Sequence, residues 1–276
     1  MKTARATPGL SGTTRLYAII GDPIAQVGSP RLFNAEFQAR GIDAVLVAMH
    51  VAPADLGGMI ATFRAMKNFD GLIVTVPHKI QAAAMVDSLG GNAARLGAVN
   101  AIRKLPDGRL LGDNFDGEGF VRGLAARGIE LAGRKVLVIG AGGAGCAVVN
   151  AIADQRAASI GVYDIDATRR DALVRSVGAH SPGVPVGSSE PVAAGFDVIV
   201  NCTSVGMKPD DPLPLDISGL DANTVVADII LKPVRTPLLE AAARLGCITH
   251  EGPAMLEGQV DAVMDFFFAT SPQAHA

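Results

Sequence analysis

A short apolar strand that runs directly into a glycine-rich turn constrains the fold of this chain most strongly. Residues 135–139 read KVLVI, and residues 140–145 read GAGGAG, a G-x-G-x-x-G pattern before a helical stretch. Gly140 permits a tight turn, Gly142 lets the backbone approach a pyrophosphate, and Gly145 lets the helix pack on the strand. The free N–H groups at the helix start favour an anion. The motif predicts a dinucleotide site, and a purely structural turn is the alternative.

An acidic residue follows at the distance that such a site requires. The next predicted strand ends in Asp164, 24 residues after the first glycine of the motif. A carboxylate there accepts hydrogen bonds from the adenosine ribose and repels a 2′-phosphate, which favours NAD over NADP. Asp166 is a second candidate for this role. A helix N-cap is the alternative role for Asp164, and the nearby Arg169 and Arg170 leave NADP possible.

Strand and helix patterns alternate along the whole chain, which predicts an α/β fold with mostly parallel sheets. The strands are predicted at residues 16–20, 44–51, 71–76, 135–139, 160–164, 198–201, 225–228 and 247–251, with a hairpin beginning at residue 98. The helices are predicted at residues 30–40, 55–66, 80–89, 117–127 and 255–269. Ser29 is the expected N-cap of the first helix. We predict two domains divided near Asp116, with the last helix returning to the first domain.

Composition excludes several classes of partner. Of the 276 residues, 49% are hydrophobic and 18% charged, with a formal net charge of −3, so a large core is expected and a nucleic-acid footprint is not. The three cysteines fit neither a zinc spacing nor a disulfide framework, which favours the cytoplasm and predicts no metal. Residues 1–13 lack a secretory apolar region and are expected to form a flexible tail. No apolar stretch approaches the roughly eighteen residues of a membrane span.

The segment VTVPHK, residues 74–79, places reactive side chains at a strand end. Proline cannot donate to a sheet ladder, so the strand predicted at residues 71–76 must end near Pro77 or lie at an edge. The following side chains then project where clefts of α/β folds lie. Thr75, His78 and Lys79 are therefore candidates for chemistry, and a solvated lysine after a turn is the alternative.

Several motifs in this order resemble the shikimate/quinate dehydrogenases. They are GDPIAQVGSP, VTVPHK, GAVNA, GDNFDGEGF, GAGGAG, NCTSVGM, DIILKPVRTPLL and GPAMLEGQ, from about Leu16 to Phe268. The resemblance implies a substrate domain of residues 14–116 and 252–276, a Rossmann domain of residues 117–251, and a cleft between them. It also implies reversible oxidation of a secondary ring alcohol of a cyclic polyol carboxylate with NADP or NAD, in aromatic amino acid biosynthesis. We expect a cytoplasmic monomer or homodimer.

The resemblance also implies which residues form the site. Lys79 and Asp116 look like the catalytic pair, because loss of hydride from an alcohol carbon must be coupled to loss of the hydroxyl proton. The residues that resemble substrate contacts are Ser29, Thr75, Asn100 and Gln259. Those expected to bind the cofactor are Gly140, Gly142, Gly143, Gly145, Asp164 and Asp166, with Asn201, Thr203, Met207 and Met255 around its nicotinamide half.

This chain departs from the family pattern at polar positions. Val27 and Leu231 replace a serine and a tyrosine, and Ala101 and Phe115 each replace a threonine. These losses predict a less polar or differently placed substrate. Ile165 stands where NADP-using members carry an arginine, which again favours NAD. His78 replaces a frequent phenylalanine, and we expect it to be partly exposed after the turn rather than in contact with substrate.

Two other functions fit the same layout. One is a ligand-sensing protein that keeps the fold without turnover, and the other is a related two-domain enzyme such as a methylenetetrahydrofolate dehydrogenase. Both Lys79 and Asp116 are present, which argues against the first because binding alone does not require the pair. The Thr75–Lys79 motif with Asp116 argues against the second.

Overall fold

The computed structural model describes residues 9–208 and 210–269, so most of the tail predicted at residues 1–13 lies outside it. The strands are β1 Arg15–Gly21, β2 Ala44–His50, β3 Phe69–Val74, β4 Ser88–Leu89, β5 Ala101–Lys104, β6 Leu110–Asp113, β7 Lys135–Ile139, β8 Ser159–Tyr163, β9 Val186–Ser188, β10 Val198–Asn201, β11 Val225–Asp228 and β12 Ile248–His250. The helices are α1 Ser29–Arg40, α2 Leu56–Ala65, α3 Lys79–Ala83, α4 Gly91–Leu96, α5 Asp116–Ala125, α6 Gly143–Asp154, α7 Ala167–His180, α8 Pro237–Arg244, α9 Pro253–Gly258 and α10 Val260–Phe268.

The chain divides into two compact units. The first runs to Asn114 and resumes at Val260, and the second is Phe115–Gln259. Each unit has a six-stranded sheet, and helices cover the buried apolar strands, so the α/β fold class is confirmed.

The first sheet has the order β2-β1-β3-β5-β6-β4. Strand β1 is parallel to β2 and β3, whereas β5 is antiparallel to β3 and β6. Strands β1, β3 and β6 therefore end at the same edge where β5 begins, and this edge receives the residues after β3. On a face of this sheet, α10 packs its aromatic residues, with the Phe267 ring centroid 5.0 Å from that of Tyr17. The last helix thus returns to the first unit, as predicted.

Two local predictions in the first unit are wrong. The helix expected over residues 80–89 stops at Ala83, because the Asp87 N–H donates to the Leu110 carbonyl at 2.9 Å and β4 pairs with β6. Pairing with a distant strand takes the hydrogen bonds that a longer helix would have used. Helix α1 begins at Ser29 itself, and Gly28 occupies the N-cap position without a side-chain hydrogen bond.

The second sheet is entirely parallel, with the order β12-β11-β10-β7-β8-β9. In its register Asn201 pairs with Ile139 on one side and with Asp228 on the other. The carboxyl ends of β7, β10 and β11 are therefore neighbours. In parallel α/β sheets this edge holds ligands.

The single helix predicted over residues 255–269 is instead two helices, α9 and α10, because Gln259 is the C-cap of α9 and interrupts the helix. Helix α9 packs so closely on α5 that a Cβ atom at Gly123 would lie 2.7 Å from the Ala254 carbonyl oxygen. This packing places Gly252–Gln259 in the second unit, whereas the domain prediction assigned these residues to the first. Among the described residues, no helix combines the length and the apolar character needed to cross a membrane.

Candidate active site

The segment after β3 forms a tight turn that leads into α3. The Thr75 N–H donates to the Ile20 carbonyl at 2.9 Å, and the His78 N–H donates to the Thr75 carbonyl at 3.0 Å. Lys79 is the first residue of α3, and both Thr75 and Lys79 are partly exposed. The turn therefore keeps these two side chains at the carboxyl edge of the first sheet.

Asn100 lies beside this turn. Its carbonyl accepts from the Val74 N–H at 2.8 Å, and the neighbouring Val99 N–H donates to the Lys79 carbonyl at 3.0 Å. These bonds bring three predicted site residues, Thr75, Lys79 and Asn100, to one place. Asn100 and Ser29 are each only 3% exposed.

His78 is buried, not partly exposed as expected. The side chain has 0% exposure, and its Nε2 atom lies 2.8 Å from the Val51 carbonyl oxygen. The turn at Pro77 directs the imidazole back into the unit, where this hydrogen bond ties it to the residue after β2. His78 therefore supports the turn that carries Lys79.

In the second unit, Asp116 is the first residue of α5 and is 4% exposed. On the same helix, a Cβ atom at Gly119 would lie 2.8 Å from the Gln259 Cβ atom. The absence of a side chain at Gly119 therefore lets Gln259 pack directly against α5. Met255, from α9, is 8% exposed.

The glycine-rich loop uses its glycines in two different ways. Gly140 has a φ of 103°, and a Cβ atom at Gly145 would overlap the Gly140 carbonyl oxygen, so the fold itself requires both. By contrast, Gly142 and Gly143 have no described atom within 4 Å of a Cβ position. Gly142 also has an ordinary φ of −74°. The space beside these two glycines at the start of α6 suits the pyrophosphate of a dinucleotide.

Asp164 supports the glycine-rich loop directly. One carboxylate oxygen accepts from the Ala141 N–H at 2.7 Å, and the other accepts from the Asp166 N–H at 2.9 Å. The N-cap of α7 is Asp166, which accepts from the Thr168 N–H at 3.0 Å. Asp166, and not Asp164, therefore has the helix N-cap role that was the alternative for Asp164.

Positive charge also lies at the end of β8. The Arg169 guanidinium lies 3.6 Å from the Asp166 carboxylate and 4.0 Å from that of Asp164. The Arg169 side chain is 55% exposed, so the attraction in this contact is strongly screened. Ile165 is 93% exposed and offers no polar group. This edge therefore carries two carboxylates and one exposed cation.

Asn201 and Thr203 form the turn that follows β10. The Asn201 side-chain oxygen accepts from the Thr203 hydroxyl at 2.7 Å and from the Thr203 N–H at 3.0 Å. These bonds hold Thr203 in place. Asn201 itself is 0% exposed and presents no surface to a ligand. Thr203 is partly exposed, and Met207 is 46% exposed. The placement of Asn201 around the nicotinamide half of the cofactor stays a prediction, and its burial favours a role in holding Thr203.

The sequence interpretation missed two residues that support this turn, Asp228 and Thr236. The Asp228 carboxylate accepts hydrogen bonds from the Asn201 amide and the Thr236 hydroxyl, and both Asp228 and Thr236 are buried, at 1% and 0% exposure. Each carried a local signal, because Asp228 ends an apolar strand and Thr236-Pro237 is a typical helix start. Within the described residues, no group of three or more metal-ligating side chains is assembled. Cys146 and Cys202 are free, and burial raises the pKa of both thiols.

Comparison with known proteins gives matches over almost the whole chain. The family model "Shikimate dehydrogenase substrate binding domain" matches residues 19–102. A protein from Rhodospirillum rubrum named shikimate dehydrogenase (NADP(+)) is 37% identical over 271 residues, covering 96% of this chain and 95% of that protein.

Solved structures match at similar coverage. Shikimate 5-dehydrogenase from Listeria monocytogenes, in complex with shikimate and NAD, has a TM-score of 0.85 at 29% identity and covers 95% of this chain and 94% of its own. Quinate dehydrogenase from Corynebacterium glutamicum, in complex with NAD, has a TM-score of 0.80 at 29% identity, with coverages of 92% and 94%. Ligand-free 5-ketofructose reductase from a Gluconobacter strain has a TM-score of 0.82 at 27% identity, with both coverages 94%.

The glycine-rich loop on a parallel sheet, together with relatives named as dehydrogenases over nearly the whole chain, identifies an NAD(P)-dependent oxidoreductase that acts on CH–OH groups. The 37% identity over nearly the full length narrows this class further. The chain belongs to the shikimate/quinate dehydrogenase family.

Proposed function

We propose that this protein reversibly oxidises a secondary ring alcohol of a cyclic polyol carboxylate of the shikimate or quinate type. The observation that carries the proposal is the position of Lys79 at the carboxyl edge of the first sheet, with Thr75 and Asn100 beside it. Relatives with the corresponding names are similar over almost the whole chain, which supports the same substrate class.

The chain's own residues would handle the proton. The bound nicotinamide accepts or returns the hydride. Lys79 and Asp116 would hold the reacting alcohol oxygen by hydrogen bonds and take its proton as the hydride leaves, because the alkoxide is otherwise too costly to form. Ser29, Thr75, Asn100 and Gln259 would hold the other ring hydroxyls and the carboxylate. Gly142 and Gly143 would hold the pyrophosphate in the loop that Gly140 and Gly145 shape. Thr203, Met207 and Met255 would lie near the nicotinamide.

A rate screen tests this proposal. The purified protein is assayed by NADH or NADPH absorbance with shikimate, quinate and simpler ring alcohols, each with both cofactors. We expect turnover of at least one cyclic polyol carboxylate. Cofactor binding without turnover of any substrate would instead support a ligand-sensing protein, and turnover of a folate substrate would support the related two-domain enzyme.

We also propose that NAD is preferred over NADP, with NADP still accepted. A 2′-phosphate at the end of β8 would meet the negative charges of Asp164 and Asp166, and Ile165 supplies no positive charge to offset them. The exposed Arg169, and the partly buried Arg170 whose charge acts on Tyr163 at the end of β8, favour NADP. We therefore expect a higher kcat/KM with NAD than with NADP, measured with the best substrate.

A double substitution is expected to shift this preference toward NADP. Asp164→Asn with Ile165→Arg should shift the ratio of kcat/KM values toward NADP by about tenfold or more, because it removes one charge and adds its opposite. Leu213→Arg, at another exposed apolar position in the same unit, controls for the added charge. A clear NADP preference of the unmodified protein would contradict the proposal.

A second candidate substrate is an uncharged polyol ketone. Val27 and Leu231 each replace a hydroxyl-bearing residue of the family pattern, and both are half-buried. The similar fold of 5-ketofructose reductase, whose named substrate has no carboxylate, supports this candidate. Adding 5-ketofructose to the screen, in the direction of NAD(P)H oxidation, separates the two.

The Val27 position gives a further prediction. A hydrogen bond to a carboxylate contributes roughly 1.5–3 kcal/mol to binding. Because Val27 cannot make this bond, the KM for shikimate should be about tenfold or more above that of typical members. Val27→Ser should then raise kcat/KM for shikimate several-fold, whereas Val47→Ser on exposed β2 should leave it unchanged. If Val27→Ser changes nothing, the carboxylate is held elsewhere, and Ser29 and Gln259 are the first residues to replace.

We further propose that the protein works in the cytoplasm as a monomer or homodimer. The three free cysteines support a reducing compartment. Light scattering of the purified protein at several concentrations measures its oligomeric state.

A further inference from the structure

The Asp228 side chain is a buried carboxyl group of the second unit that accepts three hydrogen bonds. It is 1% exposed and accepts from the Ile230 N–H at 3.0 Å, the Asn201 amide at 3.1 Å and the Thr236 hydroxyl at 2.8 Å. Burial raises the pKa of Asp228, and these three donors act in the opposite direction. A carboxylate accepts and does not donate, so it suits a position surrounded by donors.

Asp228 thereby fixes which way the Asn201 amide faces. The Asn201 NH₂ group donates to the Asp228 carboxylate and to the Val205 carbonyl, each at 3.1 Å. Its oxygen is left for the Thr203 N–H and hydroxyl, and the Thr203 hydroxyl oxygen accepts from the Val205 N–H at 3.0 Å. A carboxylate can only accept hydrogen bonds, so it requires the NH₂ group of Asn201 to face it. The opposite amide orientation would place the Asn201 oxygen against the carboxylate. The orientation of Asn201 therefore follows from Asp228.

The same turn lies against the glycine-rich loop. A Cβ atom at Gly140 would be 2.9 Å from the Thr203 methyl carbon and 3.0 Å from the Cys202 carbonyl oxygen. The Cys202 N–H donates to the Ile139 carbonyl at 2.7 Å, directly before that glycine. Thr203 therefore lies beside the loop proposed to hold the pyrophosphate.

We infer that Asp228, assisted by Thr236, is a positioning residue that sets the Cys202–Met207 turn for the nicotinamide half of the cofactor by fixing the Asn201 amide. This rests on the proposed function, which places Thr203 and Met207 near the nicotinamide. Asp228 itself has too little exposed surface to touch a ligand. It acts through Asn201 and Thr203.

Asp228→Asn tests the inference with almost no change in volume. An amide at this position has one acceptor and one donor where three donors point inward. Turned one way, its NH₂ opposes the Ile230 N–H, and turned the other way it opposes the Asn201 NH₂ group. Asn201 can relieve the second conflict only by turning its own NH₂ toward the Thr203 N–H. Each arrangement disturbs either Asn201 or the chain after Asp228.

Binding of two ligands separates positioning from a general loss of structure. NADH contains the nicotinamide, whereas ADP-ribose contains only the remainder, and calorimetry measures both without a substrate. Loss of a charged hydrogen bond predicts about tenfold weaker NADH binding by Asp228→Asn and Thr236→Val, with ADP-ribose affected by less than about twofold. Thr236→Ser keeps the hydroxyl and should restore most of the NADH affinity. If the protein uses NADP, NADPH and 2′-phospho-ADP-ribose replace these ligands.

Asp197→Asn is the control for an Asp→Asn change in this unit, because the exposed Asp197 also accepts a backbone N–H, from Lys135 at 2.7 Å, but stands before the amino end of β10. It should leave both affinities unchanged. Equal losses of affinity for NADH and ADP-ribose, or unchanged NADH binding by both Asp228→Asn and Thr236→Val, would overturn the inference. If Asp228→Asn does not fold, the Thr236→Val and Thr236→Ser pair decides. A wild type that binds NADH but oxidises no ring alcohol contradicts the proposed function alone, whereas one that binds neither ligand overturns both.

Discussion

Replacing Lys79 with alanine is expected to lower kcat by about a hundredfold or more, because a positioned acid–base group contributes about 10²–10⁴-fold to a proton transfer. The affinity for NADH and the melting temperature should change little. The Lys79 side chain is partly exposed at the first turn of α3, so its removal leaves no cavity in the core. Steady-state rates with the best substrate, calorimetric titration with NADH and a thermal melt check the three parts of this prediction.

Two further variants separate proton transfer from charge. Lys79→Arg keeps a positive charge, but a guanidinium stays protonated at every pH of the assay and cannot take the proton. It should therefore be nearly as inactive as the alanine variant. Lys67→Ala, at an exposed lysine in the same unit, should behave like the unmodified protein. A Lys79→Ala variant with a near-normal rate would remove Lys79 from the mechanism.

Much of the fold follows from local sequence pattern. The strand at 135–139 has the predicted bounds, and so do the strands ending in Asn201 and Asp228. These strands are short apolar runs buried on both faces, so one signal specifies them almost completely. The glycine-rich loop lies where the motif predicts, because Gly140 and Gly145 meet steric demands that no other residue satisfies.

Predictions failed where a distant part of the chain decides the outcome. The segment at residues 84–90 has a helical composition, yet it bonds to β6, which lies some twenty residues further along the chain. His78 was expected at the surface because it follows a turn, but Val51 supplies a buried partner from another loop. Local patterns carry no information about such partners.

The candidate site shows the same division. Sequence motifs predicted residues that lie together in each unit, such as Thr75, Lys79 and Asn100 in the first. They did not distinguish residues that face a ligand from residues that hold others in place. Asn201 carries the motif but is fully buried, and Asp228 supports it without any motif having selected it. That distinction depends on burial, which appears only when the strands are assembled.

Gly142→Ala is expected to weaken cofactor binding by about tenfold or more, because overpacking a close contact costs about 1–3 kcal/mol. The fold should hardly respond. Gly142 has a φ of −74° and no described atom within 4 Å of its Cβ position. Alanine restricts the unfolded chain, which stabilises by about 0.4–1 kcal/mol, but it is a poorer N-cap by a similar amount. The two effects nearly cancel, so the melting temperature should stay close to that of the unmodified protein.

Gly145→Ala gives the contrasting result, because its Cβ atom would overlap the Gly140 carbonyl oxygen. It should lower both stability and cofactor affinity. Gly178→Ala, inside α7 with no described atom within 4 Å, controls for glycine replacement and should leave cofactor affinity unchanged. Thermal melts and calorimetric titrations with NADH on the three variants show whether the motif binds a dinucleotide or only forms a turn. A dinucleotide site requires Gly142→Ala to fold well and bind poorly, since only a close pyrophosphate would meet the new methyl group. If Gly142→Ala binds as tightly as the unmodified protein while Gly145→Ala unfolds, the glycines serve the turn alone, and the cofactor must bind elsewhere.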